Sequence, residues 1–240
     1  MPPQPDSLLR HWDGDTVATT RPSADQPPLT VTIVGAGTVG TALGANLIVR
    51  GHHVRYAVRD EGTSVPDGAA AIHIDGCAPG SDLTILAVPF DAVAQVVPRL
   101  GLASGDVLID ATNPFGVPIP ESYPSGAAFV QHLAGDGVHV VKTFGVLGAE
   151  HMANPALSDG SAPIPPVAAD DDATRDRVVT LARHMGFDAV GAGALRNAAT
   201  LENAALYWGL LASTAGLGRD MALVAHHRSQ RAIRSASNRE

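Results

Sequence analysis

Polar residues and prolines dominate the chain up to residue 28, where Pro2, Pro3, Pro5, Pro22, Pro27 and Pro28 leave no apolar period. Such a stretch reads as a mobile tail. At Leu29 the pattern changes. Residues 29–34 (LTVTIV) form a β-rich run, and GAGTVG follows at once from Gly35. Residues 41–50 are apolar with good helix formers, and Gly51 is placed to end that helix. Short strands are predicted at 54–58 and 70–74, and buried strands at 83–88, 107–110 and 138–141, where the runs are continuously apolar. A helix is predicted at 91–100, and a Pro- and Gly-rich loop precedes residue 138. Strands alternating with helices predict an α/β fold, a Rossmann-type parallel sheet with right-handed crossovers.

The second half changes character. Residues 164–168 are expected as an edge strand, because Pro163, Pro165 and Pro166 forbid a central one. Helices are expected at 172–185, 198–211 and 220–233. Asp170, Asp171 and Asp172 stand where carboxylates cap free N–H groups, which explains that acidic run without a metal. The expected organisation is a disordered tail over 1–28, a dinucleotide-binding domain over 29–142, and a small, mainly helical domain over 143–240 for substrate and dimerisation.

The glycines carry the chemistry. In Gly35-x-Gly37-x-x-Gly40 the first allows a tight turn, the second lets a pyrophosphate approach the backbone, and the third lets the helix pack on the strand. Free N–H groups around Thr38 and Val39 would bind the phosphates. The end of the second strand selects the cofactor. Ala57 and Val58 stand where an NAD-specific domain carries an acid, and Arg59 follows, able to grip a 2′-phosphate. NADP is therefore expected, although Asp60 or Glu61 could instead meet a ribose hydroxyl.

Composition narrows the rest. The net charge of −8 and the lack of a basic patch argue against nucleic acid. Cys77 is the sole cysteine, which excludes an internal disulfide and reads as a small buried hydrophobe. No GxSxG or HExxH motif occurs, and the histidines lack chelating spacing, so no metal is expected. No apolar run suits a membrane helix and no signal-peptide layout is present; a cytoplasmic protein is expected. Lys142 is the sole lysine, a bias that a GC-rich genome would produce.

Beyond the glycine motif, the chain resembles the coenzyme F420-dependent NADP oxidoreductases. The resemblance rests on GAGTVG, on VRD after the second strand, on DLTILAVP from Asp82, on DATNP from Asp110 (which includes Asn113), and on VVKTFGVLGAEHMANP from Val140. LRNAATLE from Leu195 and GLGRD from Gly216 extend it. It implies hydride transfer between NADP(H) and a second bound acceptor, the deazaflavin coenzyme F420. It places the nicotinamide near Val88, Pro89 and Phe90. The deazaflavin would lie in a cleft lined by the Thr143 to Gly148 loop and by the helix start near Asn197, with Thr143, Phe144, Gly145 and Asn197 positioning the substrate. The chain departs from the family at Gly145, where His or Asn is usual, and at Ala199, where Arg is common. These departures leave open a small imine, a carbonyl or a flavin as acceptor, and a non-catalytic NADP-binding sensor stands as the other class. A homodimer acting on a small molecule is expected.

Overall fold

The computed structural model describes residues 27–226. Six parallel strands make one sheet in the order β3-β2-β1-β4-β5-β6: β1 Thr30–Val34, β2 His53–Val58, β3 Ala69–His73, β4 Leu83–Leu86, β5 Val107–Asp110 and β6 His139–Lys142. Every residue of β4 and β5 is buried, as their unbroken apolar runs require of strands covered on both faces. Strand order reverses between β1 and β4, and a sheet of this kind opens a crevice beyond its carboxyl ends at that point.

Side chains alternate across the sheet. Val31, Ile33 and Ile85 join one apolar layer with Phe144, Val178 and Leu181, whereas Val34, Leu86 and Leu108 join the other with Phe90 and Val130. Each large apolar side chain so buried contributes about 1.5–3 kcal/mol relative to exposure.

Helix α1, Thr38–Val49, ends before Gly51, whose φ of +85° suits a residue without a Cβ. It lies close on the sheet because Gly44 leaves room for Tyr56: a Cβ there would overlap the phenol oxygen. Tyr56 donates to the Gly40 carbonyl at 3.2 Å, and burial pushes its phenol up to about 12.

Several expectations need correction. The helix expected at 91–100 is broken into a 3₁₀ turn Phe90–Ala92, a short α2 Val93–Val96 and a 3₁₀ turn Val97–Arg99, because Pro98 has no N–H to continue an α-helix. The loop expected before residue 138 contains α3 Gly126–Ala134, whose Ser125 accepts from Ala128 N–H at 3.0 Å. The edge strand shrinks to β7 Pro166–Val167, paired with β8 Val190–Gly191, and α4 Ala149–Ala153 was not foreseen.

Helix α5, Asp172–His184, is capped by Asp171, which accepts from Thr174 N–H at 2.7 Å. Asp170 instead accepts from Leu195 N–H. Helix α6, Ala198–Ser213, is close to its expected span. The helix expected at 220–233 is absent over 220–226; residues 227–233 lie outside the described residues, as does most of the 1–28 tail. The segment is irregular because tertiary contacts take its backbone: Ile164 N–H donates to the Leu223 carbonyl and the Trp208 indole to the Met221 carbonyl. Among the described residues no helix is long and apolar enough to cross a membrane.

Candidate functional site

The turn between β1 and α1 is shaped by its glycines in three different ways. Gly35 has φ +105°, and a Cβ on it would stand 2.7 Å from the Ala87 carbonyl oxygen. A Cβ on Gly40 would overlap the Gly35 carbonyl. These two positions are closed by the fold itself. At Gly37 a Cβ would meet nothing within 4 Å, so the fold does not demand glycine there. What the bare Cα leaves is an open cradle in front of α1. No side chain caps this helix, so its first N–H groups, at Thr38 and Val39, remain available. A glycine without a structural reason, beside uncapped donors at a helix N-terminus, fits a pyrophosphate.

From this cradle a cleft of about 340 Å³ runs across the ends of the strands. It brings together Gly37, Thr38, Val39, Val88, Pro89, Phe90, Asn113 and Gly145.

 They come from four separate loops of the chain, and the sheet places them side by side. Asn113 is the polar centre of the cleft. Its Nδ2 donates to the Gly145 carbonyl at 3.2 Å, while its Oδ1 is buried with no hydrogen-bond partner. A buried acceptor left free costs stability unless a ligand or water satisfies it, and the carboxamide N–H of a nicotinamide has the matching chemistry. Arg59 is exposed just past β2, does not itself line the cleft, and makes no ion pair among the described residues. Asp60, its acidic neighbour, spends Oδ1 on Gly62 N–H at 2.9 Å within its own turn. Gly37, Thr38, Val39 and Asn113 thus offer groups that fit a nicotinamide dinucleotide.

The second half of the chain contributes less evenly. Of the loop placed near a second substrate, Gly145 and Leu147 line the cleft. Phe144 is fully buried in the core against Phe187, with φ 62°, and Thr143 is buried behind the cleft wall with Oγ1 unpartnered. Asn197 donates to the Ala192 carbonyl at the head of α6. Gly145 is not an empty position either: a Cβ on it would stand 2.7 Å from Asn113 Nδ2, so the Asn113 amide occupies the space. Ala199 lines a neighbouring pocket of about 260 Å³ with Phe115, Val117, Ile119 and Leu206.

Two groups escaped the sequence reading. Trp208 and Arg219 line the cleft from the C-terminal side; the guanidinium lies 5.8 Å from the indole centroid and 3.1 Å from Glu150. Nothing in their spacing signals this. The other group is a buried charge cluster. Lys142 Nζ lies 3.1 Å from Asp110 and 3.9 Å from Glu202 and also donates to the Thr112 carbonyl, part of the cleft floor. Glu202 accepts from Gly126 and Ala127 N–H, both at 3.0 Å, at the start of α3. Burial pushes the Glu202 carboxyl up, against the opposing pull of Lys142 and those two donors. A signal was present here: Lys142 and Asp110 are buried charges that end runs of buried valine, leucine and isoleucine, and they are register partners.

Fold and cleft together are those of a Rossmann-type dinucleotide-binding domain. Residues 30–114 match the family described as NADP oxidoreductase, coenzyme F420-dependent, and over that segment the resemblance read from the motifs is borne out. Among solved structures, the chain is similar to a candidate F420-dependent NADP reductase from Arthrobacter sp. FB24, at 22% identity and TM-score 0.68, covering 80% of this chain and 96% of that one. It is also similar to a hypothetical protein from Sinorhizobium meliloti, at 26% identity and TM-score 0.62, covering 70% and 86%. A reductive aminase from Aspergillus terreus bound to NADPH shares the fold at 22% identity and TM-score 0.57, covering 79% and 63%.

Proposed function

We propose that the protein transfers hydride between NADP(H) and coenzyme F420, with both held in the cleft between Gly37 and Arg219. The observation that carries this reading is that the polar groups missing at Gly145 and Ala199 are supplied from elsewhere. The Asn113 amide fills the space over Gly145, and Arg219, steadied by Trp208 and Glu150, brings a positive charge to the cleft. An anionic deazaflavin would meet that guanidinium, and a charged contact of this kind contributes about 1.5–3 kcal/mol.

The cofactor supplies the hydride when bound. The chain supplies position: Gly37, Thr38 and Val39 hold the phosphates, Arg59 the 2′-phosphate, and Asn113 Oδ1 orients the carboxamide. Ring carbons held about 3–3.5 Å apart gain much of their rate from alignment alone. The test is to mix protein, NADPH and oxidised F420 and follow deazaflavin absorbance. Reduction at micromolar coenzyme supports the reading, and none removes it.

A second reading rests on the pocket beside Phe115. Its small size and its wall of Val117, Ile119, Ala199 and Leu206, with Glu202 and Asn203 beside them, suit a small imine or carbonyl better than a polyanion. NADPH oxidation with such a compound, and none with F420, would select it. Hydride transfer to either acceptor rules out a sensor that only binds the cofactor. A homodimer remains part of the proposal, since α6 exposes Leu206, Tyr207 and Leu210 on a surface that a second copy would cover; light scattering at the mass of one chain would remove it.

A further inference from the structure

Helix α4 has two sides. Ala149 and Met152 line the cofactor cleft, whereas Glu150 and His151 line a separate cavity of about 530 Å³. The rest of that cavity is built by the loop over residues 154–161 and by the chain at Asp220, Ala222 and Val224. Its polar groups are mostly acceptors. His151 is 4% exposed, and its Nε2 is buried without a hydrogen-bond partner. The nearest charge is the Asp220 carboxylate at 3.6 Å, itself 91% exposed. Asp159 offers a second carboxylate, partly engaged by Ser161 at 3.0 and 2.5 Å. Glu150 is paired with Arg219, and neither lysine nor arginine lines the cavity.

A buried ring nitrogen without a hydrogen-bond partner, beside the Asp220 carboxylate, which no lysine or arginine pairs among the described residues, calls for a ligand that carries N–H donors and positive charge. Among the described residues no three His, Cys, Asp or Glu side chains converge as a metal set, and the cavity is far larger than a small ion fills. Ala222 and Val224 give apolar wall for a hydrocarbon arm.

We propose that this cavity binds an organic ammonium ion, a primary amine whose N–H groups donate to His151 Nε2 and the Asp220 carboxylate. The site is distinct from the cofactor cleft and does not depend on which acceptor the enzyme uses.

The probe is n-butylammonium, with n-butanol as its neutral counterpart, titrated calorimetrically into the full chain with and without saturating NADPH. One-to-one binding of the amine in both conditions is expected, with no binding of the alcohol. Asp220→Asn, at an exposed position that folding tolerates, should weaken the amine at least tenfold. His151→Gln should weaken it as well, and in the wild type the His151 ring signals should shift on titration. Equal binding of the alcohol, displacement of the amine by NADPH, or undiminished binding by Asp220→Asn would each overturn the proposal. So would the absence of amine binding at millimolar concentration.

Discussion

On one side of the cleft, the chain from Ile33 to Val49 builds its wall locally. Strand, glycine turn and helix follow one another, and the donors for a phosphate are the helix's own first N–H groups. On the other side, Trp208 and Arg219 reach the same cleft from α6 and the irregular segment after it, and Glu150 steadies Arg219 from 69 residues away. The first wall is fixed by backbone conformation, which needs only glycines at the correct spacing. The second is fixed by side chains distant in sequence, and the buried cluster of Lys142, Asp110 and Glu202 joins it to the sheet. The local wall therefore tolerates change only where the backbone has room, and the distant wall depends on a few polar contacts.

The most severe way to break this contrast is Lys142→Met. It leaves Asp110 and Glu202 buried without their cation, and removing one partner of a buried pair costs about 3–5 kcal/mol. Denaturant unfolding should show that loss as a lower midpoint. A cost below about 1 kcal/mol would mean that the cluster does not hold the second wall.

Arg59→Ala acts on the local wall without touching the fold, because the side chain is exposed. NADPH affinity should fall roughly ten- to more than a hundredfold, and NADH affinity should stay nearly unchanged. Equal binding of both cofactors by the unaltered protein would move the ribose contact to Asp60 or Glu61. Gly37→Ala sharpens the same point. Its Cβ would meet no protein atom within 4 Å, so the melting temperature should hold while NADPH affinity drops about tenfold or more. Gly35→Ala should instead lower stability, since φ +105° and the Ala87 carbonyl both oppose a side chain.

What the sequence made legible follows the same division. The sheet, α1 and the glycine turn were readable because apolar period and glycine spacing are local signals. Asp171 as the cap of α5 was readable for the same reason. The segment after Asp220 looked helical in isolation, yet over 221–226 it is irregular and bonded to Ile164 and Trp208, contacts that no local pattern announces. Phe144 sat in a family-like loop, yet its ring belongs to the core. Lys142 could have been singled out as a charge ending a buried strand, but its partner Glu202 lies on a helix that meets it only in the fold.

The smallest expected effect lies where the two halves meet behind the sheet. His52 follows α1 and His184 ends α5, and their rings approach at 3.2 Å between Nε2 and Nδ1. His52 Nδ1 accepts from Leu29 N–H, which leaves Nε2 to donate to His184 and fixes both rings as neutral. Burial, with the neighbouring His184 and His53, lowers the His52 pKa below 6.5; burial and Arg50 lower that of His184. The unfolded chain therefore binds more protons than the folded one as pH falls through 6.5, so stability is fully present above that value and declines below it. The melting temperature should fall by a few degrees between pH 7.5 and pH 5.5. His52→Gln keeps a side chain able to accept from Leu29 and removes one titrating ring, so its melting temperature should change less over the same interval. An identical decline in variant and parent would place the pH sensitivity elsewhere in the molecule.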